Sequence, residues 1–107
     1  MGWTINDKDV RLCDNIRDVF VRVLTRPSHS ISVEHCKSWT CLSWRGYSYK
    51  MFVGVKFPFV TVVVITENGD HFFEARYDRH QLGKIKKSAL VLVRKIINRP
   101  VQEVMLI

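Results

Sequence analysis

The residues of this chain best equipped for chemistry are cations. Arg76, Arg79, Lys84, Lys86, Lys87, Arg94, Lys95 and Arg99 crowd the stretch from Ala75 to Arg99, where Asp78 is the lone acidic residue. That stretch carries the whole formal charge of +7, and the rest of the 107 residues balance. Charge gathered in one segment adds its field over one surface and suits a polyanion, nucleic acid first and an anionic membrane surface second. Phosphate contacts of this kind give salt-dependent, weakly sequence-specific affinity. The candidate nucleic-acid-binding residues are therefore Arg76, Arg79, Lys84, Lys86, Lys87, Arg94 and Lys95. The plainer use of such a run is to keep a small domain soluble.

Other chemistries find less support. His29, His35, Cys36 and Cys41 are zinc-ligand types, but neither the C-x4-C spacing nor the histidine spacing fits a common structural site. The expectation is no metal, no cofactor and no internal disulfide. His80 beside Asp78 and Arg79 would suit nuclease work, yet no nucleophile and base at recognisable spacing, Gly-rich phosphate loop or carboxylate cluster accompanies it. No catalytic residue is assigned, and a binding module is expected rather than an enzyme. Arg45–Phe52, RGYSYKMF, resembles in part the base-stacking RNP1 motif of RNA recognition motifs. A hairpin follows it where that motif requires a helix, so Tyr47 and Tyr49 are assigned to the core.

Three cysteines cannot pair completely, and the N-terminal residues Met1-Gly2-Trp3-Thr4 lack the pattern of a secretory signal. An intracellular setting, cytoplasmic or nuclear, is expected. No apolar run reaches the roughly 20 residues of a membrane span. A hydrophobic content of 47% suffices for one core, and the absence of repeats and linkers points to a single domain over residues 1–107.

The elements that must position the cations are legible from periodicity. Tyr47, Tyr49, Met51, Val53, Val55 and Phe57 alternate with polar residues, the period of a half-buried strand. Phe59–Ile65 is apolar on both parities, as in a central strand covered on both sides. Asn68-Gly69 predicts a two-residue type I′ hairpin. Its register sets Val64 opposite Phe73, Val62 opposite Ala75 and Val60 opposite Tyr77 on the core face. Ile65 with Phe72, Val63 with Glu74 and Thr61 with Arg76 then share the outer face. Val10, Cys13, Ile16, Val19, Phe20 and Val23 predict a helix capped by Asn6, running to about Thr25 and ended by Pro27. His29–Trp44 reads as one or two short strands. A second helix begins near Arg79 with Asp78 and Gln81 as a capping pair, carries Leu82, Ile85, Ala89, Leu92, Val93 and Ile96 inward, and ends before Pro100. Val101–Ile107 follows as a last strand or a packed tail.

The fold class is thus α+β: an antiparallel sheet of three to five strands with an N-terminal and a C-terminal helix packed on one face. The helix, three strands, helix order with Lys86-Lys87-x-Ala89 resembles the double-stranded RNA-binding domain, although Leu90 stands where a third lysine is usual. The resemblance implies both helices on one sheet face and phosphate contacts by Lys86 and Lys87. The order is also similar to that of the Alu-RNA-binding proteins of the signal recognition particle, which implies RNA as the partner. The function expected is therefore nucleic-acid binding, RNA favoured. The alternative is a protein-interaction module without enzymatic activity, either a homodimer formed through Val63, Ile65 and Phe72 on the outer sheet face or an adaptor or inhibitor that docks a partner.

Overall fold

The computed structural model describes residues 7–56, 58–78 and 81–100. Helix α1 (Asp7–Leu24) leads through a 3-10 turn at Pro27–His29 into strands β1 (Ser32–His35), β2 (Thr40–Trp44), β3 (Tyr47–Lys56), β4 (Phe59–Thr66) and β5 (His71–Tyr77). A 3-10 turn at Leu82–Lys84 opens helix α2 (Ile85–Ile97). The strands pair antiparallel in sequence order, so the α+β class holds and the sheet has five strands. The segment from His29 to Trp44 supplies β1 and β2, which extend the sheet beyond β3.

Helix α1 buries Cys13, Ile16, Phe20, Val23 and Leu24, while Val10, expected on the same stripe, is 43% exposed. Its end lies one residue short of Thr25, whose hydroxyl and amide both donate to the Val21 carbonyl at 2.6 and 2.9 Å. His29 Nδ1 lies 2.9 Å from the Val23 carbonyl. A carbonyl only accepts, so the proton sits on Nδ1 and the ring shares this helix-end oxygen with the Arg26 N–H, which reaches it at 3.4 Å. The expected cap, Asn6, lies outside the described residues.

The inner sheet face presents Leu42, Trp44, Tyr47, Tyr49, Met51, Val60, Val62, Val64, Phe73 and Tyr77 to α1 and α2. From α2 come Ile85, Ala89, Leu92, Val93 and Ile96, and the helices also pack on each other. Tyr47 and Tyr49 are indeed core residues. On the outer face Thr61, Val63 and Ile65 are half-buried, and no described element lies across them. β4 is thus sandwiched on one side only, which corrects the reading of its apolar run.

The β4–β5 hairpin departs from the expected two-residue turn. The Thr66 N–H donates to the Asp70 carbonyl at 2.8 Å and the Gly69 N–H to the Thr66 carbonyl at 2.9 Å, with Gly69 at φ +83°. Among the described non-glycine residues only Ser30 and Arg45 have positive φ, so Asn68 does not adopt the conformation a type I′ turn demands. The loop is a type I turn completed by a left-handed glycine, the usual three-residue hairpin. One extra residue on β5, Phe72, then restores the register, and Val64↔Phe73, Val62↔Ala75 and Val60↔Tyr77 pair as expected. Ile65 pairs with His71 instead. The type I′ geometry occurs at Arg45-Gly46, with φ 43° and 89°, between β2 and β3.

The bulge also moves Phe72. Its ring packs 4.8 Å from that of buried Tyr49, on the helical side, so it does not join Val63 and Ile65 on the outer face. Arg99, past the end of α2, completes this corner. Its guanidinium lies 3.7 Å from the Tyr47 ring centroid and 5.6 Å from that of Phe72, and it donates to the Tyr49 hydroxyl at 3.1 Å. Burial raises the Tyr49 phenol above the ordinary tyrosine range, against the opposing pull of Arg99. Cation–π contact and one hydrogen bond together make Arg99→Ala cost about 1–2 kcal/mol in urea melts, and lysine restores only part of it. A variant as stable as the parent would show that the C-terminal end of α2 does not depend on this contact.

Helix α2 starts later than expected. Asp78 and Gln81 do form a reciprocal pair: the Asp78 N–H donates to Gln81 Oε1 at 3.3 Å and the Gln81 N–H to the Asp78 carbonyl at 3.1 Å. The chain continues through a 3-10 turn across Gly83, with the Lys84 N–H on the Gln81 carbonyl at 2.9 Å, before α2 begins at Ile85. Glycine disfavours helix by about 1 kcal/mol relative to alanine, enough to delay the regular helix. Phe57, Arg79, His80 and Val101–Ile107 lie outside the described residues.

Candidate nucleic-acid interface

Helix α2 turns its apolar stripe inward and so must present what lies between. Lys84, Lys86, Lys87, Val91, Arg94, Lys95 and Asn98 are exposed. Lys87, Val91, Arg94 and Asn98 recur at spacings of four, three and four, forming a stripe along the solvent side, with Lys87 and Arg94 about 10 Å apart along the axis. Lys84 and Lys86 flank its start. No side chain caps α2, and its first turn holds no acidic residue, so the positive end of the helix dipole adds to three lysines. Among the described residues, the ion pairs join Arg17 to Asp14 and Arg76 to Glu74, whose carboxylate also lies 3.5 Å from His71 Nε2. Lys84, Lys86, Lys87 and Arg94 join no described carboxylate.

The remaining candidates separate from this group. Arg76 stands on the outer sheet face beyond the core, with Nε 3.0 Å from Glu74 Oε2. That bond holds the Glu74 carboxyl below the usual carboxylate range. Lys95 is committed to the fold: its ammonium donates to the Phe72 carbonyl at 2.6 Å and lies 5.1 Å from the ring centroid. It covers a carbonyl at the bulge. Arg79 lies outside the described residues.

A second basic surface was not expected from the sequence. Even positions of β3 face outward, so Lys50, Phe52 and Lys56 join Thr61, Val63 and Arg76 there. Trp39 packs on Phe52 with ring centroids 6.3 Å apart, and the Lys50 ammonium lies 4.9 Å from the indole centroid. A shallow groove of about 280 Å³ runs between β3, β4 and β5, lined by Phe52, Lys56, Thr61, Val63, Glu74 and Arg76 among others. The alternation of β3 held the signal for Lys50 and Phe52, since Tyr47 and Tyr49 on the core face leave the even positions to the other side. Nothing in the sequence marks Trp39 as outward.

Among the described residues no three histidine, cysteine or carboxylate side chains gather as a metal site. No described helix is long and apolar enough to cross a membrane. The chain matches no family model, no curated protein and no solved structure.

Proposed function

We propose that this protein is a non-catalytic nucleic-acid-binding module, RNA foremost, that grips phosphates with Lys84 at the N-cap of α2 and with Lys86, Lys87 and Arg94 along it. The observation that carries this reading is the grouping of four exposed cations on one helix and its N-cap with no described carboxylate among them. A surface built only for solubility mixes both signs. The preference for RNA rests on the Lys86-Lys87-x-Ala89 resemblance, with β3, β4 and β5 standing for the three strands and β1 and β2 added at their edge. Arg76, with Lys50 and Lys56, supplies a weaker second contact across the sheet, and Arg79 remains a candidate by charge. Binding isotherms with duplex RNA, single-stranded RNA and duplex DNA test the reading. Affinity that falls steeply with salt and ranks duplex RNA first is the expected outcome.

A second reading is favoured by the outer face, where Phe52, Val63 and Ile65 form an apolar patch with no described element across it. On this reading the patch docks a second copy. Light scattering at high micromolar concentration then gives twice the chain mass, and Val63→Lys with Ile65→Lys yields a folded monomer. A wild-type monomer under the same conditions removes the homodimer.

A further inference from the structure

We propose that Cys36 and Cys41 are a reversible redox pair, closing to an intramolecular disulfide by exchange with a small-molecule disulfide of the glutathione class. Their Sγ atoms lie 3.3 Å apart. The proximity is a product of the hairpin. Glu34 pairs with Cys41, and the Cys36 N–H donates to the Trp39 carbonyl at 2.9 Å, so the thiols sit diagonally on one face around Lys37-Ser38. A bond of about 2.0 Å is reached by a shift of little more than an ångström, within the range of side-chain rotation beside a tight turn. This revises the expectation of no internal disulfide.

The two sulfurs have different settings, and these assign an order. Cys36 is exposed and meets the oxidant, whereas Cys41 is half-buried and held by the Trp39 indole N–H, which donates to its Sγ at 3.2 Å. The Cys36 thiolate attacks one sulfur of the small disulfide, breaking that bond and releasing one thiolate. Cys41 then gives its proton to solvent and attacks the Cys36 sulfur, expelling the second small thiol. Two protein thiols are oxidised and one disulfide is reduced to two thiols, so electrons and protons balance. The Cys36 thiol is raised by its hydrogen bond with Cys41 and by Glu34, with Lys50 opposing. Asp14, Arg17, Asp18, His35 and Lys37 complete the charged and titratable groups around the adjoining groove. Exchange therefore quickens as pH climbs through and beyond the ordinary thiol range.

The product staples the end of β1, an edge strand bonded to β2 alone. Trp39, whose ring also packs on Phe52 and Lys50, reports the change from the outer sheet face. The test equilibrates the full chain with reduced and oxidised glutathione in rising ratio, quenches with an alkylating reagent and maps the peptides by mass. The expected result is loss of two of the three alkylatable cysteines, with a 36–41 link, a mass lower by two hydrogens and full recovery on reduction. Cys41→Ser stops at a glutathione adduct on Cys36, which verifies the order. Three alkylated cysteines in fully oxidised buffer would overturn the proposal, as would a wild-type glutathione adduct that Cys41 never resolves.

Discussion

Replacing Lys86 and Lys87 with glutamate lowers affinity for duplex RNA by at least about tenfold, with circular dichroism and melting temperature unchanged. Both side chains are exposed in the first turn of α2 and make no described ion pair, so the fold is indifferent to the reversal of their charge. Binding, in contrast, gives up two phosphate partners and meets two repulsions beside the positive end of the helix. The slope of log K against log salt falls by about two, close to one for each phosphate no longer neutralised. Arg76→Glu gives a smaller effect, because Glu74 already neutralises that guanidinium on the far face of the sheet. Unchanged RNA affinity in a folded double variant would move binding away from α2 and favour the outer face.

Phe20→Ala costs about 3–5 kcal/mol, a large share of the roughly 5–15 kcal/mol available to a domain of this kind. The ring is fully buried and meets Phe73 edge-on at 6.2 Å and 63°, so α1 and β5 share its packing. Truncation leaves a cavity between helix and sheet that neither can close without disturbing its other packing. Val10→Ala on the same helix costs under about 0.5 kcal/mol, since that residue is 43% exposed. Urea melts measure both. A Phe20→Ala cost near that of Val10→Ala would contradict a core shared by both layers.

Side-chain period made most of the fold legible. The odd positions of β3 from Tyr47 to Met51, the alternate valines of β4 and the three- and four-residue spacing of the helices placed most of the inward residues, because one-sided burial leaves a strong pattern, while Val10 and Val55, expected on the same stripes, are exposed. Turn chemistry was less informative. Asn68-Gly69 fits a type I′ turn, yet the tighter twist went to Arg45-Gly46, and a bulge at Phe72 absorbed the difference. Local preference leaves several turns open, and strand pairing decides among them. The onset of α2 was misplaced for a related reason: Gln81 returns its side chain to the Asp78 N–H as in a capping box, but the Gln81 N–H bonds the Asp78 backbone carbonyl and Gly83 lets the chain spend one turn in a tighter helix.

The candidate interface was legible as charge and not as surface. Counting cations found Lys84, Lys86, Lys87 and Arg94, which α2 does bring together. The hairpin register, not the count, set Arg76 across the sheet beside Thr61, and neither could show that Lys95 bonds the Phe72 carbonyl, which depends on the bulge in β5. The thiol pair was illegible for the same reason, because five residues of separation become 3.3 Å only through the β1–β2 register.

The most direct test of the central claim titrates labelled duplex RNA, single-stranded RNA and duplex DNA with the wild-type protein at about 50 and 200 mM salt. Phosphate binding by the four cations of α2 predicts duplex RNA as the tightest ligand and a salt slope near four, or an affinity roughly a hundredfold or more weaker at the higher salt. Absence of binding at the lower salt, or an affinity that salt leaves unchanged, would contradict phosphate recognition by α2.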